Sequence, residues 1–435
     1  DLHCDCEKYL TVSSDARRPD VLYHIRRSMS TPLNLLSVED NLVLERLRTE
    51  GKAWIVGGWV RDSLLGKINP DLDIATTLTP DKVKDLFPRT IPIGEDYGTV
   101  IVRLEGNSKN EWEVTTLRKE GTYGDGRRPD NVTFGKEIEA DLARRDFTIN
   151  AMAIDDEGRI IDLFGGKNDL QNNILRAVGE ARERIAEDGL RIMRAFRFLD
   201  KDENSIRTME EDLENAICEN KEMLKNVSNE RIGEEIKRIL SSKCSDKILT
   251  KMKETGVLSV IFNDMLVDLT DVNCTSPLVI LAKILRNNES EKEDIYVKLR
   301  DKLKYSKREL ELISFLHAHR NVEFKTNIES LRRFNNYLSD EQKSAILEYH
   351  QPLEFIQQLE KLIKPHEKNS PLVDGITLSE VTGIKPGRKL GMLKGWLFRQ
   401  QIEKNITCKD DVLKNLEHID WKNDNYDKWP VLSWP

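Results

Sequence analysis

The chain has no apolar run approaching the 18 or so residues needed to cross a bilayer, which argues against a membrane-spanning protein. Its six cysteines (Cys4, Cys6, Cys218, Cys244, Cys274 and Cys408) lack any repeated CxxC spacing. They suit neither a disulfide framework nor a structural zinc site, and a reducing, intracellular compartment is expected. Cys4 and Cys6, beside His3, are assigned no metal role. The seven histidines include no His-Asp dipeptide, which argues against an appended phosphohydrolase domain of the HD type. His317 and His319, two residues apart on a helical pattern, diverge and suit no metal site. Positive charge is not in excess either: 76 acidic against 68 basic residues leave a net charge of −8. Nucleic-acid binding, if any, must come from local basic faces, because the field of the whole molecule does not favour it.

What is present is length and charge. At 435 residues, a third of them charged, the chain fits two to four domains at the usual roughly 100 to 200 residues each. From 37 to 165, short apolar runs bounded by Gly, Pro and Asp alternate with helical patterns, the rhythm of a mixed α/β domain. From Lys167 onward the 3.6-residue period dominates, and the change falls near Gly165-Gly166. The expected fold class is α+β: a head with a small mixed sheet and helices (37–165), then an all-α neck (166–270) and body and tail (271–420). Residues 1–36 read as an extension and 421–435, rich in Trp, as a tail that either docks or stays free. Arg17, Arg18, Arg26 and Arg27 precede Met29 as in an organelle leader, but Asp1, Asp5, Glu7, Asp15 and Asp20 oppose that reading. Polar segments 200–205, 287–293 and 364–371 read as connections between helices.

Within the head, Ser37 to Asp40 resembles a capping box for a helix carrying Val38, Leu42 and Leu47 that ends near Gly51. Ala53 to Val56 reads as a buried strand that runs into Gly57-Gly58 and a short helix ending at Gly66. Glycines at a strand-to-helix turn expose backbone amides to an anion. Arg61 follows one helical turn later, placed to pair with a phosphate. Asp71 and Asp73, read as i and i+2 of a strand, would share a face about 7 Å apart. Two such carboxylates can ligate a hard cation and support in-line phosphoryl transfer.

Together with GGWVRD (57–62) and DLDIATT (71–77), the blocks EVTTLR (113–118), RRDFTINAMA (144–153) and EDGLRIMRAFRF (187–198) resemble the DNA polymerase β-like nucleotidyltransferases. The closer resemblance is to the class II tRNA nucleotidyltransferases that add CCA to tRNA 3′ ends. It runs continuously from residue 51 to about 200. SNERIGEEIKRIL (228–240) is similar to a further helical motif, and GIKPGRKLGMLKGWL (383–397) more loosely to the C-terminal region of animal-type members. The resemblance implies Mg2+ on Asp71 and Asp73, nucleotide contacts from Gly58, Arg61 and Arg145, and tRNA, CTP and ATP as partners and substrates, with no membrane partner. For a eukaryotic source it implies mitochondria, cytoplasm or nucleus. Glu113 is either a third catalytic carboxylate or a surface strand residue. Asp146 is either functional or paired with Arg144 and Arg145.

A single helix from Ile185 to Leu199 is expected, with apolar residues on several sides, so its arginines need partners. Asp188 and Arg191, one turn apart, could read a base edge. Cytosine and adenine each present an exocyclic amine beside a ring-nitrogen acceptor, so the carboxylate accepts from the amine and the guanidinium donates to the nitrogen. Guanine and uracil reverse that order. Arg194 and Arg197 are expected either to bind phosphates or tune the choice of CTP and ATP, or to bridge helices. Residues 118–136 read as a loop similar to the one that full CCA-adding members carry. The helical half should hold tRNA by shape and phosphate contacts, with 302–308 and 385–394 as basic surfaces. Two rival readings stay open: a bacterial-type poly(A) polymerase and a non-catalytic tRNA-binding protein.

Overall fold

A computed structural model describes residues 32–92, 98–106, 110–120, 132–134, 137–201, 204–288, 292–362, 369–423 and 425–435. The arginines expected near Met29 and the centre of the 118–136 loop lie outside these residues. Ser37 caps helix α1 (Val38–Arg48) as its sequence dictates: the Ser37 hydroxyl accepts from the Asp40 amide at 3.0 Å and the Asp40 carboxylate accepts from the Ser37 amide at 2.8 Å. The buried face of α1 is Val43, Leu44 and Leu47, while Val38 and Leu42 are 78% and 48% exposed. Of the three residues read as its apolar stripe, only Leu47 faces the core.

Strand β1 (Ala53–Val56) is buried along its whole length, as an unbroken apolar run requires of a central strand. It leads into α2 (Gly58–Leu64), β2 (Asp73–Thr76) and α3 (Pro80–Leu86). There follow β3 (Arg89–Pro92), β4 (Thr99–Arg103), β5 (Trp112–Thr116), β6 (Arg118–Glu120) and β7 (Val132–Phe134), then α4 (Ile138–Ala143), β8 (Met152–Ile154) and β9 (Ile160–Asp162). Seven strands form one mixed sheet in the order β3-β4-β5-β2-β1-β8-β9. The pairing of β2 with β5 is parallel and the other pairings in the sheet are antiparallel. Successive side chains of a strand point to opposite faces, so Ile55 and Ile74 join the core under α1, α2 and α3, while Trp54, Val56 and Ala75 pack with Ile138 and Leu142 of α4. The expected 118–136 loop is shorter than its sequence suggested, since β6 and β7 pair with each other as an antiparallel ribbon.

The change of pattern at Gly165-Gly166 is a tight corner. Gly165 has φ 73°, and a side-chain carbon at Gly166 would come within 2.1 Å of the Thr148 carbonyl oxygen. Beyond it, α5 (Gly166–Gln171), α6 (Ala181–Glu187), α7 (Leu190–Leu199), α8 (Glu211–Asn220), α9 (Asn229–Leu240), α10 (Ser245–Glu254) and α11 (Val257–Ile261) are interrupted by a small parallel pair, β10 (Ile174–Leu175) with β11 (Thr208–Met209). The period-3.6 pattern gave no sign of that pair. The chain divides into two compact units, 1–235 with 247–261, and 236–246 with 262–435. The regular elements described in the second unit are helices, from α12 (Pro277–Ile284) to a long helix at Arg388–Lys404 and a short one at Lys409–Lys414. Its last residues dock: Trp434 is 4% exposed and packs its ring against His319, Phe324 and Phe334. No described helix is long and apolar enough to cross a membrane.

Candidate active site

The site starts where β1 stops. Gly57 turns the chain with φ 72°, a conformation only glycine adopts without strain. A side-chain carbon there would also stand 3.1 Å from Arg145 Nη1 and 3.2 Å from Asp73 Oδ2. The bare turn lets a guanidinium and a carboxylate both approach the backbone. One turn into α2, Arg61 is held by three bonds, to Asp62 Oδ1 and Oδ2 at 2.9 and 3.1 Å and to Asn150 Oδ1 at 2.8 Å.

Asp71 is not on a strand. Its amide donates to Asn69 Oδ1 at 2.9 Å in a local turn after Pro70, and the ladder with β1 ends at Val56 opposite Asp73. Asp71 is exposed and lies two residues before the strand. The shared-face argument for Asp71 and Asp73 therefore fails, and sheet register supplies a different pair. Asp73 on β2 sits directly opposite Glu113 on β5. Burial, then the Glu113 carboxylate, push Asp73 up to about 6, with the Arg145 and Arg61 charges opposing.

The neighbouring Arg144 and Arg145 are fixed by an acid that was not singled out from the sequence. Asp141, 1% exposed, accepts from Arg144 at 2.5 Å and from Arg145 at 3.2 Å. Burial raises its pKa, but the two guanidiniums outweigh that and hold it below the usual carboxylate range. Asp146 therefore does not pair with Arg144 and Arg145. It accepts from Arg194 Nε at 2.7 Å and from the Phe147 amide at 2.8 Å, and these likewise outweigh its burial.

The expected single helix breaks. α6 ends at Glu187, Asp188 is extended at φ −148° and ψ 109°, and α7 starts at Leu190. Gly189 sits against the next turn, where a side-chain carbon would meet the Met223 carbonyl oxygen at 2.7 Å. At this joint Asp188 accepts from the Leu190 amide at 2.9 Å and from Arg231 Nη2 at 2.9 Å. Arg191 donates to Glu187 Oε2 at 2.5 Å and to the carbonyls of Arg184 and Arg144 at 2.7 and 3.1 Å. Arg197 bridges from α7 to Glu235 on α9 at 2.6 Å.

These groups line one open cleft of about 610 Å³. Nine of the ten residues singled out from the sequence are there, namely Gly58, Arg61, Asp73, Glu113, Arg145, Asp188, Arg191, Arg194 and Arg197, and Asp71 is not. The cleft also holds Arg144 and Arg231. In a chain of net negative charge this is a local basic surface built for anions. Among the described residues no three acidic, histidine or cysteine side chains form a ready metal cage. Asp73 and Glu113 nonetheless fit a divalent cation, because two hard oxygen donors stand side by side and one is already short of positive charge.

Comparison with known proteins agrees with this geometry. Residues 53–176 match the poly A polymerase head domain family, and residues 208–269 match a family described as the probable RNA and SrmB-binding site of polymerase A. Residues 53–176 are thus similar to a poly A polymerase head. A CCA-adding enzyme of Bacillus licheniformis is 42% identical over 216 residues, covering 49% of this chain and 53% of that protein. One from Lactococcus lactis is 46% identical over 225 residues, 50% and 54%. The chain thus spans about half the length of the curated relatives it matches. Among solved structures, the Bacillus stearothermophilus CCA-adding enzyme in complex with CTP is 26% identical, with 90% of this chain and 98% of that one covered at a TM-score of 0.70. The Thermotoga maritima CCA-adding enzyme complexed with tRNA_CCA, 20% identical with coverage of 89% and 97% and a TM-score of 0.63, shares the fold.

The match to the poly A polymerase head domain covers the blocks at 57–62, 71–77, 113–118 and 144–153. Arg231 lay within the quoted block 228–240, which was a usable signal. Gly57, read with Gly58 as the strand-to-helix turn, and Asn150, inside the 144–153 block, were signalled as well, whereas Asp141 carried no signal beyond proximity to an arginine motif.

Proposed function

We propose that the protein adds CCA to the 3′ end of tRNA from CTP and ATP, without a nucleic-acid template, releasing diphosphate. The observation that carries this reading is one cleft in which an acidic pair, Asp73 and Glu113, faces a wall of arginines, with Asp188 and Arg191 at the same opening. Asp73 and Glu113 would hold Mg2+, and Asp71, whose charge acts on Asp73 from its turn, is the candidate third ligand. The metal supplies neutralisation of the attacking and leaving oxygens during transfer. Gly58, Arg61 and Arg145 take the phosphate chain, and Gly57 keeps their approach open.

Asp188 and Arg191 select the base. Asp188 accepts two bonds and Arg191 donates three, so lone pairs and N–H groups are left over on each while their orientations are fixed. A bidentate match distinguishes C and A from G and U by roughly 1–3 kcal/mol. Arg194 and Arg197 hold the walls against Asp146 and Glu235 and add positive charge. Residues 271–420 hold the tRNA by shape, and residues 118–136 take part in the change from C to A.

The poly(A) polymerase reading shares the head but needs no discrimination in favour of CTP. Primer extension on tRNA transcripts lacking CCA separates the two, because CTP incorporation must precede ATP incorporation here. The same assay ranks the carboxylates: Asp73→Asn should lose at least a thousandfold in rate, and Asp71→Asn should match it if residue 71 is a metal ligand. Near-normal rates for Asp71→Asn would leave Asp73 and Glu113 as the pair. Transfer by Asp73→Asn at wild-type rate would overturn the assignment of the site.

A further inference from the structure

Phe198, the penultimate residue of α7, lines the cleft between three arginines. Its ring centroid is 4.2 Å from the guanidinium carbon of Arg197, 5.3 Å from that of Arg194 and 5.3 Å from that of Arg61. Arg194 lies one helical turn before it, where contact is expected, whereas adjacent residues of a helix do not face each other. Arg197 nonetheless approaches the ring most closely of the three. Arg61 arrives from α2, in the sheet-bearing part of the unit. The ring is itself fixed by an edge contact with Phe147, 5.7 Å between centroids at 70°.

Each of these cations also has an anchoring partner, Asp62 for Arg61, Asp146 for Arg194 and Glu235 for Arg197. Those acids come from different elements and fix each guanidinium from one side. Three like charges around one point repel, and the negative face of an aromatic ring is the group that attracts all of them without neutralising any. All three arginines line the cleft.

We propose that Phe198 is a positioning residue whose ring sets the spacing of Arg61, Arg194 and Arg197 for the phosphate chain of the incoming nucleotide. This rests on the nucleotidyl-transfer reading. The ring couples α2 to α7, so the phosphate-binding arginine of the head and those of the base-selecting segment move as one group. A leucine keeps apolar bulk against Phe147 and loses the attracting face, while a tyrosine keeps both.

The test uses the full chain as wild type, Phe198→Leu and Phe198→Tyr, with a tRNA transcript lacking CCA and with CTP. For Phe198→Leu the KM for CTP should rise about tenfold with kcat within threefold of wild type, a loss equivalent to about 1.4 kcal/mol. Inhibition by inorganic pyrophosphate, which has the charge without the base, should weaken in parallel. Phe198→Tyr should restore both. A Leu variant with wild-type KM and pyrophosphate inhibition overturns the inference, as does a Tyr variant that falls as far as Leu. If the Leu variant fails to fold, the comparison passes to Phe198→Met, of which the same loss is expected and for which a wild-type KM overturns the inference. Wild-type protein that neither extends the transcript nor responds to pyrophosphate defeats the parent reading, and this inference with it.

Discussion

Asp73 is a half-buried carboxylate facing another carboxylate on the neighbouring strand, an arrangement that costs stability. Its folded-state pKa of about 6 lies above the ordinary 3.8, because burial and Glu113 disfavour the charge. The folded chain therefore retains a proton, between about pH 4 and pH 6, that the unfolded chain releases. Stability from this group falls as pH rises through that window, and at neutral pH the ionised Asp73 costs on the order of 2–3 kcal/mol in the metal-free protein. Asp73→Asn should raise the melting temperature by several degrees at pH 7.5 in a chelating buffer and by little at pH 4, where the wild-type group is already protonated. A lower melting temperature at pH 7.5 would contradict this account. The residue types of the site were legible from the sequence, since Gly58, Arg61, Asp73 and the later arginines all reach the cleft. Which carboxylate faces Asp73 was not legible, because parallel pairing of β2 with β5 is decided by sheet order across 40 residues of chain. An alternating Asp-x-Asp spacing looked sufficient only while Asp71 was assumed to be on a strand.

Secondary-structure elements deliver these residues, and the joint between α6 and α7 decides how. The pattern from 185 to 199 reads as one helix because Gly189 falls within a sustained 3.6 period, yet Asp188 is extended and its carboxylate accepts from the Leu190 amide where the next helix begins. The cause is tertiary: only a glycine at 189 clears the Met223 carbonyl. Gly189→Ala should push the joint away from residues 221–226, at a cost of about 1–3 kcal/mol for overpacking. It should also turn Asp188 away from Arg231 and raise misincorporation of UTP and GTP. Unfolding curves and sequencing of extended products check the two effects, and a variant with wild-type stability and fidelity would contradict the role given to the break. β1 and α1 were readable because caps, glycines and apolar runs are local signals. The short β10 and β11 pair, and β6 with β7, were not, since two or three residues pair only when another segment is brought alongside.

For the molecule as a whole, fold class and chain order follow from the sequence, but compact units do not. The change at Gly165-Gly166 marks a change of secondary structure inside the first unit, and the division falls in the helical region instead. The tail around Trp434 shows the same limit, because its aromatic partners lie about a hundred residues away and leave no periodic signature. Trp434→Ala should destabilise the second unit by about 3–5 kcal/mol, seen as an early transition in thermal unfolding and as earlier proteolysis at the C-terminal end. An unchanged profile would mean that the ring cluster adds nothing. The central claim is that this cleft itself specifies C, C and A. The most direct measurement is to incubate the full chain and magnesium with tRNA transcripts ending before CCA, supply all four nucleotides at equal concentration, and sequence the 3′ ends. Termination after CCA is the predicted result, and long A tails, mixed tails or unextended ends would contradict it.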